Sequence, residues 1–320
     1  MRSRLSPSRG ELLDRHHAPM SDAPDGMAWV PEGEFLMGSE DFYPEERPVQ
    51  RVAVDGFWID ERPVTVREFR RFVKETDYVT VAERPPDPET YPDADPTLLV
   101  PGSLVFRGSR GPVDLDDNRN WWSWVPGACW HRPEGPGSDT YTRGRHPVTH
   151  IAYEDAEAYA KWIGKELPTE AEWERAARGG LEGATFAWGD EFDPKLANTW
   201  QGEFPWQNLL LDGYVGTSPV GEFPPNGYGL YDITGNVWEW TTDFYGTREA
   251  SEHPCCAPRN PRVTAPEPDV PLPRRVIKGG SHLCAPNYCL RYRPAARQAE
   301  DIETSTGHIG FRCVVRAGGT

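Results

Sequence analysis

The chain has 320 residues, of which 37% are hydrophobic and 26% charged, with 13 Trp, 12 Tyr and 12 Phe. That apolar mass excludes a disordered chain, and 34 Lys+Arg against 50 Asp+Glu, a formal charge of -16, lacks the basic footprint of a nucleic-acid binder. Six cysteines are too few for a disulfide scaffold, and no apolar run reaches the roughly 18 residues that a membrane helix needs.

Residues 1–26 carry basic side chains but no apolar signal-peptide core, so they read as a disordered leader before one ordered domain over 27–320. A cytoplasmic protein with reduced cysteines is expected. The run MAWVPEGEFLMGS alternates apolar and polar residues around Pro31-Glu32-Gly33, which predicts a hairpin. RVAVDGFWIDERPV continues in strand style, with Val52 and Val54 on one face. Thr65 and Glu68 form a capping box, and Val66, Phe69 and Phe72 recur at helical spacing, predicting a helix over 66–76.

Residues 84–148 are rich in Pro, Asp, Gly and Trp and show little periodicity, so they read as a long loop. Its clustered tryptophans are able to wall a groove. A helix over 154–163 follows, with Ala156, Tyr159, Ala160 and Ile163 on one face and Gly164 as its stop. Pro168 and a Thr169/Glu172 capping box open the next helix, which Gly179-Gly180 ends. From 181 onward, short aromatic strands are expected to alternate with Gly, Pro and Asn turns. The chain has no βαβ rhythm, no GxGxxG and no P-loop, so a nucleotide-binding reading has no support.

Two segments carry possible chemistry. Cys284 and Cys289 flank a Pro286-Asn287 turn after a strand-like VIK run. Two thiolates so held favour a soft ion such as Cu(I) or Zn, while the spacing alone suits two buried structural thiols as well. Between 198 and 240, Asn198, Asp212, Asp232 and Glu239 offer oxygens, and the glycines allow turns with free carbonyls. Calcium needs about 6–8 such oxygens, and turn chemistry alone accounts for the same residues.

At this point a resemblance enters. LPTEAEWERAARGG, ANTWQGEFP, NGYGLYDITGNVWEW, KGGSHLCAPNYCLRYRPAAR and HIGFRC together resemble the formylglycine-generating enzymes, or sulfatase-modifying factors. The likeness runs from about Met27 to Val315. GNVWEW alone recurs across a wider superfamily, whereas the segment with both cysteines is specific. The resemblance implies an α+β fold: one mixed domain with little regular secondary structure, related to C-type-lectin-like folds. It implies an oxidase that converts the cysteine of Cys-x-Pro-x-Arg in an unfolded sulfatase to Cα-formylglycine, using O2 and Cu(I).

Carried onto this chain, the resemblance makes Cys284 and Cys289 the copper ligands and sets Ser281 beside the oxygen or substrate sulfur. Tyr288, Trp238 and Phe223 wall the groove, and Asp87, in the acidic 84–100 insert, is the contact for the substrate Arg. One Ca2+ takes Asn198, Asp212 and the carbonyls of Thr199 and Tyr214. A second takes Asp232, Glu239 and the carbonyls of Gly235 and Val237. Where animal members carry disulfides, the partner positions here are Ala160, Ala177 and Pro294, so Cys313 is expected to be unpaired. His308 stands where Asn is common and reads as a hydrogen-bonded loop histidine. Cys255 and Cys256 fall outside the family motif and read as structural or exposed thiols. A monomer with no nucleic-acid or membrane partner is expected. An iron-dependent sulfoxide synthase would need a histidine-bearing N-terminal module that is missing here, and a non-catalytic lectin-like member would have no use for the cysteine pair.

Overall fold

The computed structural model describes residues 23–248, 257–268 and 270–316; the leader up to residue 22 and Cys255-Cys256 lie outside them. Strand β1 (Met27–Val30) and the last strand, β11 (Val314–Arg316), both pair antiparallel with β4 (Phe57–Asp60). The two ends of the described chain thus share one sheet. Strand β2 (Gly33–Met37) pairs with β3 (Gln50–Val54), where Val52 and Val54 are buried. The expected β1–β2 hairpin does not form. The Pro31 and Glu34 carbonyls accept from the Arg175 guanidinium at 2.7–3.3 Å, which turns the chain out of one sheet and into the next.

The first helix, α1 (Val66–Thr76), has its capping box: Glu68 N–H donates to Thr65 Oγ1 at 3.3 Å and Thr65 N–H to Glu68 Oε2 at 2.8 Å. Helix α2 spans Tyr153–Trp162, one residue earlier than expected, because Asp155 caps the Ala152 N–H. Helix α3 (Glu170–Arg178) opens on the Thr169/Glu172 box and ends at Gly179 in the left-handed region. Phe69 of α1 packs on Tyr159 of α2 and on Phe311 in one core. Trp173 of α3 anchors a second core against β2–β4.

The 84–148 segment is not all loop. It contains β5 (Gly102–Phe106) and β6 (Trp122–Pro126), an antiparallel pair in register Leu104↔Trp124. Conversely, 181–237 holds no strand. There, Asn and Asp side chains take the backbone donors: Asn226 Oδ1 accepts from the N–H groups of Tyr228 and Leu230, and Asp212 from those of Thr199 and Tyr214. Strands resume with β7 (Trp238–Phe244), β8 (Arg274–Lys278), β9 (Arg297–Asp301) and β10 (Ile309–Gly310), in the sheet order β10-β7-β8-β9. The result is the expected mixed α+β architecture with short elements. Among the described residues, no helix is long and apolar enough to cross a membrane.

Candidate active site

The segment after β8 turns sharply at Gly279-Gly280, both at positive φ. A Cβ on Gly280 would lie 2.8 Å from the backbone of Arg291 and Tyr292, so only glycine lets the outgoing and returning strands of the loop touch. The loop so closed holds Cys284 and Cys289 with their Sγ atoms 3.0 Å apart. That exceeds the about 2.05 Å of a disulfide, and both cysteines are free and buried. The Ser281 N–H points at Cys284 Sγ at 3.4 Å, and Ser281 Oγ accepts from Leu283 N–H.

The two thiols differ electrically. Burial, together with its bond to Cys289, pushes Cys284 well above the usual thiol range. The hydrogen bond from Cys284 and the Arg291 guanidinium, 3.9 Å away, pull Cys289 down. The pair therefore shares one proton most readily, with Cys289 as thiolate and Cys284 as donor. Arg291 is fixed in turn by Glu45 at 2.6 Å and by the Tyr43 ring, 3.8 Å below its guanidinium.

A cavity of about 210 Å³ opens onto both sulfurs. Its walls include Ser281, Tyr288 and Trp238 as expected, with Trp121, Trp122, Phe204, Arg291, Glu300 and His308 in addition. Tyr288 stacks on Phe204 at 4.5 Å, with Trp121 edge-on at 5.1 Å. Strand alternation sends Gln298 and Glu300 of β9 to this cavity. Burial raises the Glu300 carboxyl to about 7, against hydrogen bonds from Thr304 and Gln298. His308 bonds Thr306 Oγ1, as a loop histidine should, but also faces the Trp122 ring at 4.8 Å and lines the cavity. Burial lowers it to about 3, so it is neutral.

Two residues fall elsewhere. Phe223 packs on Tyr214, 6.2 Å between rings, and does not line the cavity. Asp87 lines a second groove of about 480 Å³, with Pro85, Pro86, Tyr91, Trp124, Glu154 and Glu303. The two spaces share Leu104 and Thr304 as walls, so the β5–β6 pair stands between them. Sequence reasoning missed Arg291, Glu300 and the β5–β6 wall. Arg291 was within reach, as the cation two residues after Cys289.

The oxygen-bearing loops support the cysteine loop directly. Asn236 N–H donates to Asn198 O at 2.8 Å, and Asn236 O accepts from His282 N–H at 3.0 Å. Gly235 N–H donates to Gly279 O at 2.8 Å, and a Cβ on Gly235 would meet Asn198 O at 2.5 Å. Among the described residues, no N–H donates to the carbonyls of Thr199, Tyr214, Gly235 or Val237. Thr199 Oγ1 is buried without a partner. Burial raises the carboxyl of Asp212, and that of Asp232 to about 6. Glu239 differs: its oxygens already accept from Arg312 at 2.8–3.0 Å and from Trp173 Nε1 at 2.7 Å.

A free thiol pair biased toward one thiolate, walled by aromatic rings on a small mixed domain, defines a cysteine-centred active site. The chain belongs to the sulfatase-modifying factor enzyme 1-like family, whose profile matches residues 15–317. It is 55% identical over 291 residues to the formylglycine-generating enzyme of Mycobacterium tuberculosis, covering 89% of this chain and 96% of that protein. It is also 38% identical over 297 residues to the inactive Cα-formylglycine-generating enzyme 2 of Mus musculus, covering 91% and 86%. Among solved structures, PvdO from Pseudomonas aeruginosa aligns with a TM-score of 0.60 at 25% identity, over 91% of this chain and 94% of that one.

Proposed function

We propose that this protein oxidises the cysteine of a Cys-x-Pro-x-Arg segment in an unfolded sulfatase to Cα-formylglycine, with O2 as oxidant and Cu(I) held by Cys284 and Cys289. The observation that carries this reading is the free thiol pair, 3.0 Å apart, at the floor of an open cavity. A donor set of two sulfurs suits Cu(I) and disfavours harder ions. When bound, the copper supplies the one-electron chemistry that couples a thiol to O2. The protein does the rest. Arg291 holds Cys289 toward the thiolate, Ser281 and Leu283 fix the loop, and Trp121, Trp122 and Tyr288 exclude water from the sulfurs.

An extended peptide would reach the cavity past Leu104 and continue into the neighbouring groove. That groove pairs proline and aromatic surface with Asp87, Glu154, Asp301 and Glu303, a lining suited to Pro packing and to charge-assisted binding of an Arg. Ca2+ at Asn198, Thr199, Asp212 and Tyr214, and at Asp232, Gly235 and Val237, would use free carbonyls and carboxylates that burial leaves short of positive charge. Glu239 is the weakest proposed ligand, since Arg312 and Trp173 already occupy it. We read the protein as monomeric and cytoplasmic. The second reading, a non-catalytic member like the inactive relative, leaves the biased thiol pair without a use.

Mass spectrometry of a Cys-x-Pro-x-Arg peptide after incubation with enzyme, Cu(I) and O2 tests the proposal. Conversion of cysteine to the aldehyde lowers the peptide mass by about 18 Da. An unchanged mass with copper-loaded, folded enzyme overturns the reading.

A further inference from the structure

Away from the cavity, three residues of different chemistry converge. Cys129 and Arg132 close a tight turn after β6, each donating its N–H to the other's carbonyl at 3.0–3.1 Å. Trp130, between them, plugs the core edge-on to Phe69 at 5.4 Å, so the turn cannot drift. This places His131 Nδ1 3.3 Å from Cys129 Sγ. From the other side comes Glu83, the end of a short 3-10 turn (Val81–Glu83) after α1. Its Oε2 is held by the Thr80 hydroxyl at 2.7 Å and N–H at 3.2 Å, which leaves Oε1 aimed at His131 Nδ1, 3.7 Å away. One ligand atom from each of the three residues lies within 4.8 Å of the others.

We infer that Glu83, Cys129 and His131 form a Zn2+ site with three protein ligands and a water in the fourth position. Bond lengths of about 2.3 Å to sulfur and about 2.0–2.2 Å to nitrogen and oxygen put the edges of a tetrahedron near 3.4–3.6 Å. The observed 3.3 and 3.7 Å bracket that value, so closure needs shifts of only tenths of an ångström. A mixed S/N/O set suits Zn2+, whereas the two-sulfur pair at Cys284 and Cys289 suits Cu(I). The Thr80 bonds act as the outer shell that fixes a ligating carboxylate. Burial, with Arg132 and Arg70 nearby, keeps the imidazole neutral and ready to ligate. Cys129 is buried, while His131 and Glu83 remain 35% and 27% exposed at their side chains, which leaves an entry path and room for water. The ion would tie the 129–132 turn to the segment that runs on through Arg84 to Asp87, one wall of the acidic groove.

The test is Co2+ titration of the full chain in which Cys255, Cys256, Cys284 and Cys289 are all Ser, followed by Zn2+ displacement. One Co2+ per chain should bind, with a sulfur-to-metal charge-transfer band and tetrahedral visible bands. Cys129→Ser should abolish the sulfur band. His131→Ala, at a part-exposed position that leaves the fold undisturbed, should weaken binding beyond the ~10–100-fold that outer-shell changes cost. Zn2+ should raise the melting temperature of the parent and leave that of His131→Ala unchanged. A sulfur band that survives Cys129→Ser, equal affinity in His131→Ala, or no band in the folded parent overturns the site.

Discussion

Arg291 lies two residues after Cys289, and its guanidinium sits close enough to the sulfur to bias a buried dithiol toward a single thiolate. Copper ligation requires that thiolate, so Cys284→Ser and Cys289→Ser should each abolish turnover. Both sites are buried and an Sγ-to-Oγ change is small, so melting should shift little; full activity with added copper in either variant would refute the assignment. Glu300 offers a finer test. Its carboxyl is neutral below about pH 7 because burial raises it, and above that pH it adds a negative charge to a cavity that must admit a substrate thiolate. The activity ratio of Glu300→Gln to wild type should therefore rise through one inflection near pH 7. A flat ratio would remove Glu300 from the site's electrostatics. The stability effect has the same sign: an ordinary Glu ionises near 4.3 in the unfolded chain, so Glu300 weakens the fold progressively from there to about 7. The cysteines, Ser281, Tyr288 and Trp238 were legible because they are adjacent in sequence or belong to a motif. Glu300 and His308 reach the cavity from β9 and the loop after it, and nothing local in the sequence says which face of β9 meets the sulfurs.

Helix starts were the most legible elements, because a capping box is a local device. Both the Thr65/Glu68 and the Thr169/Glu172 boxes form with their reciprocal bonds. Thr169→Ala should cost about 1 kcal/mol, seen as a lower denaturation midpoint at an unchanged slope; no shift would mean that the buried start of α3 is held by packing alone. Strand pairing was far less legible, since it depends on partners distant in sequence. β1 takes β4 and β11 rather than its neighbour β2, and β5 and β6 pair across fifteen intervening residues of irregular composition. The 198–240 segment presents the same problem in reverse: its aromatic residues imply strands, but Asn and Asp side chains take the donors a ladder would need. If those loops hold Ca2+, its removal should loosen the cysteine loop through Asn236 and Gly279. A strong chelator should then lower the melting temperature of wild type and have less effect on Asp212→Ala or Asp232→Ala. Equal melting of wild type with and without chelator, in protein shown by metal analysis to have lost its calcium, would exclude the ion.

Across the whole molecule, the feature least legible in the sequence is a fully buried ionic cluster that joins α3 to β8, β9 and the chain near Gly38. Glu174 accepts from Lys278 Nζ at 3.0 Å, Arg178 at 2.8 Å and Gly38 N–H at 2.7 Å, and Glu170 takes Arg297 at 2.8–3.0 Å and Arg248 beside it. In the sequence α3 reads as an amphipathic helix with charges outward, yet both carboxylates point into the interior because the cations arrive from elements far away in the chain. Burial alone would raise Glu174, but Lys278, Arg178 and Arg248 together outweigh it and hold its carboxyl well below the usual range. A carboxylate with a lowered pKa contributes stability that is present above about 4.3, the ordinary Glu value, and is lost as pH falls toward its folded value. Glu174→Gln keeps the shape and removes the charge. It leaves Lys278 buried against a neutral amide, and breaking one side of a buried pair costs about 3–5 kcal/mol. The variant should therefore melt well below wild type at pH 7. Its melting temperature should also fall less steeply than that of wild type as pH drops below about 4.3, since the group whose protonation drives part of that loss is gone. Equal melting at neutral pH together with parallel acid profiles would show that Arg178, Arg248 and Lys278 are neutralised by Glu170 alone. The cluster would then hold α3 in place without depending on Glu174.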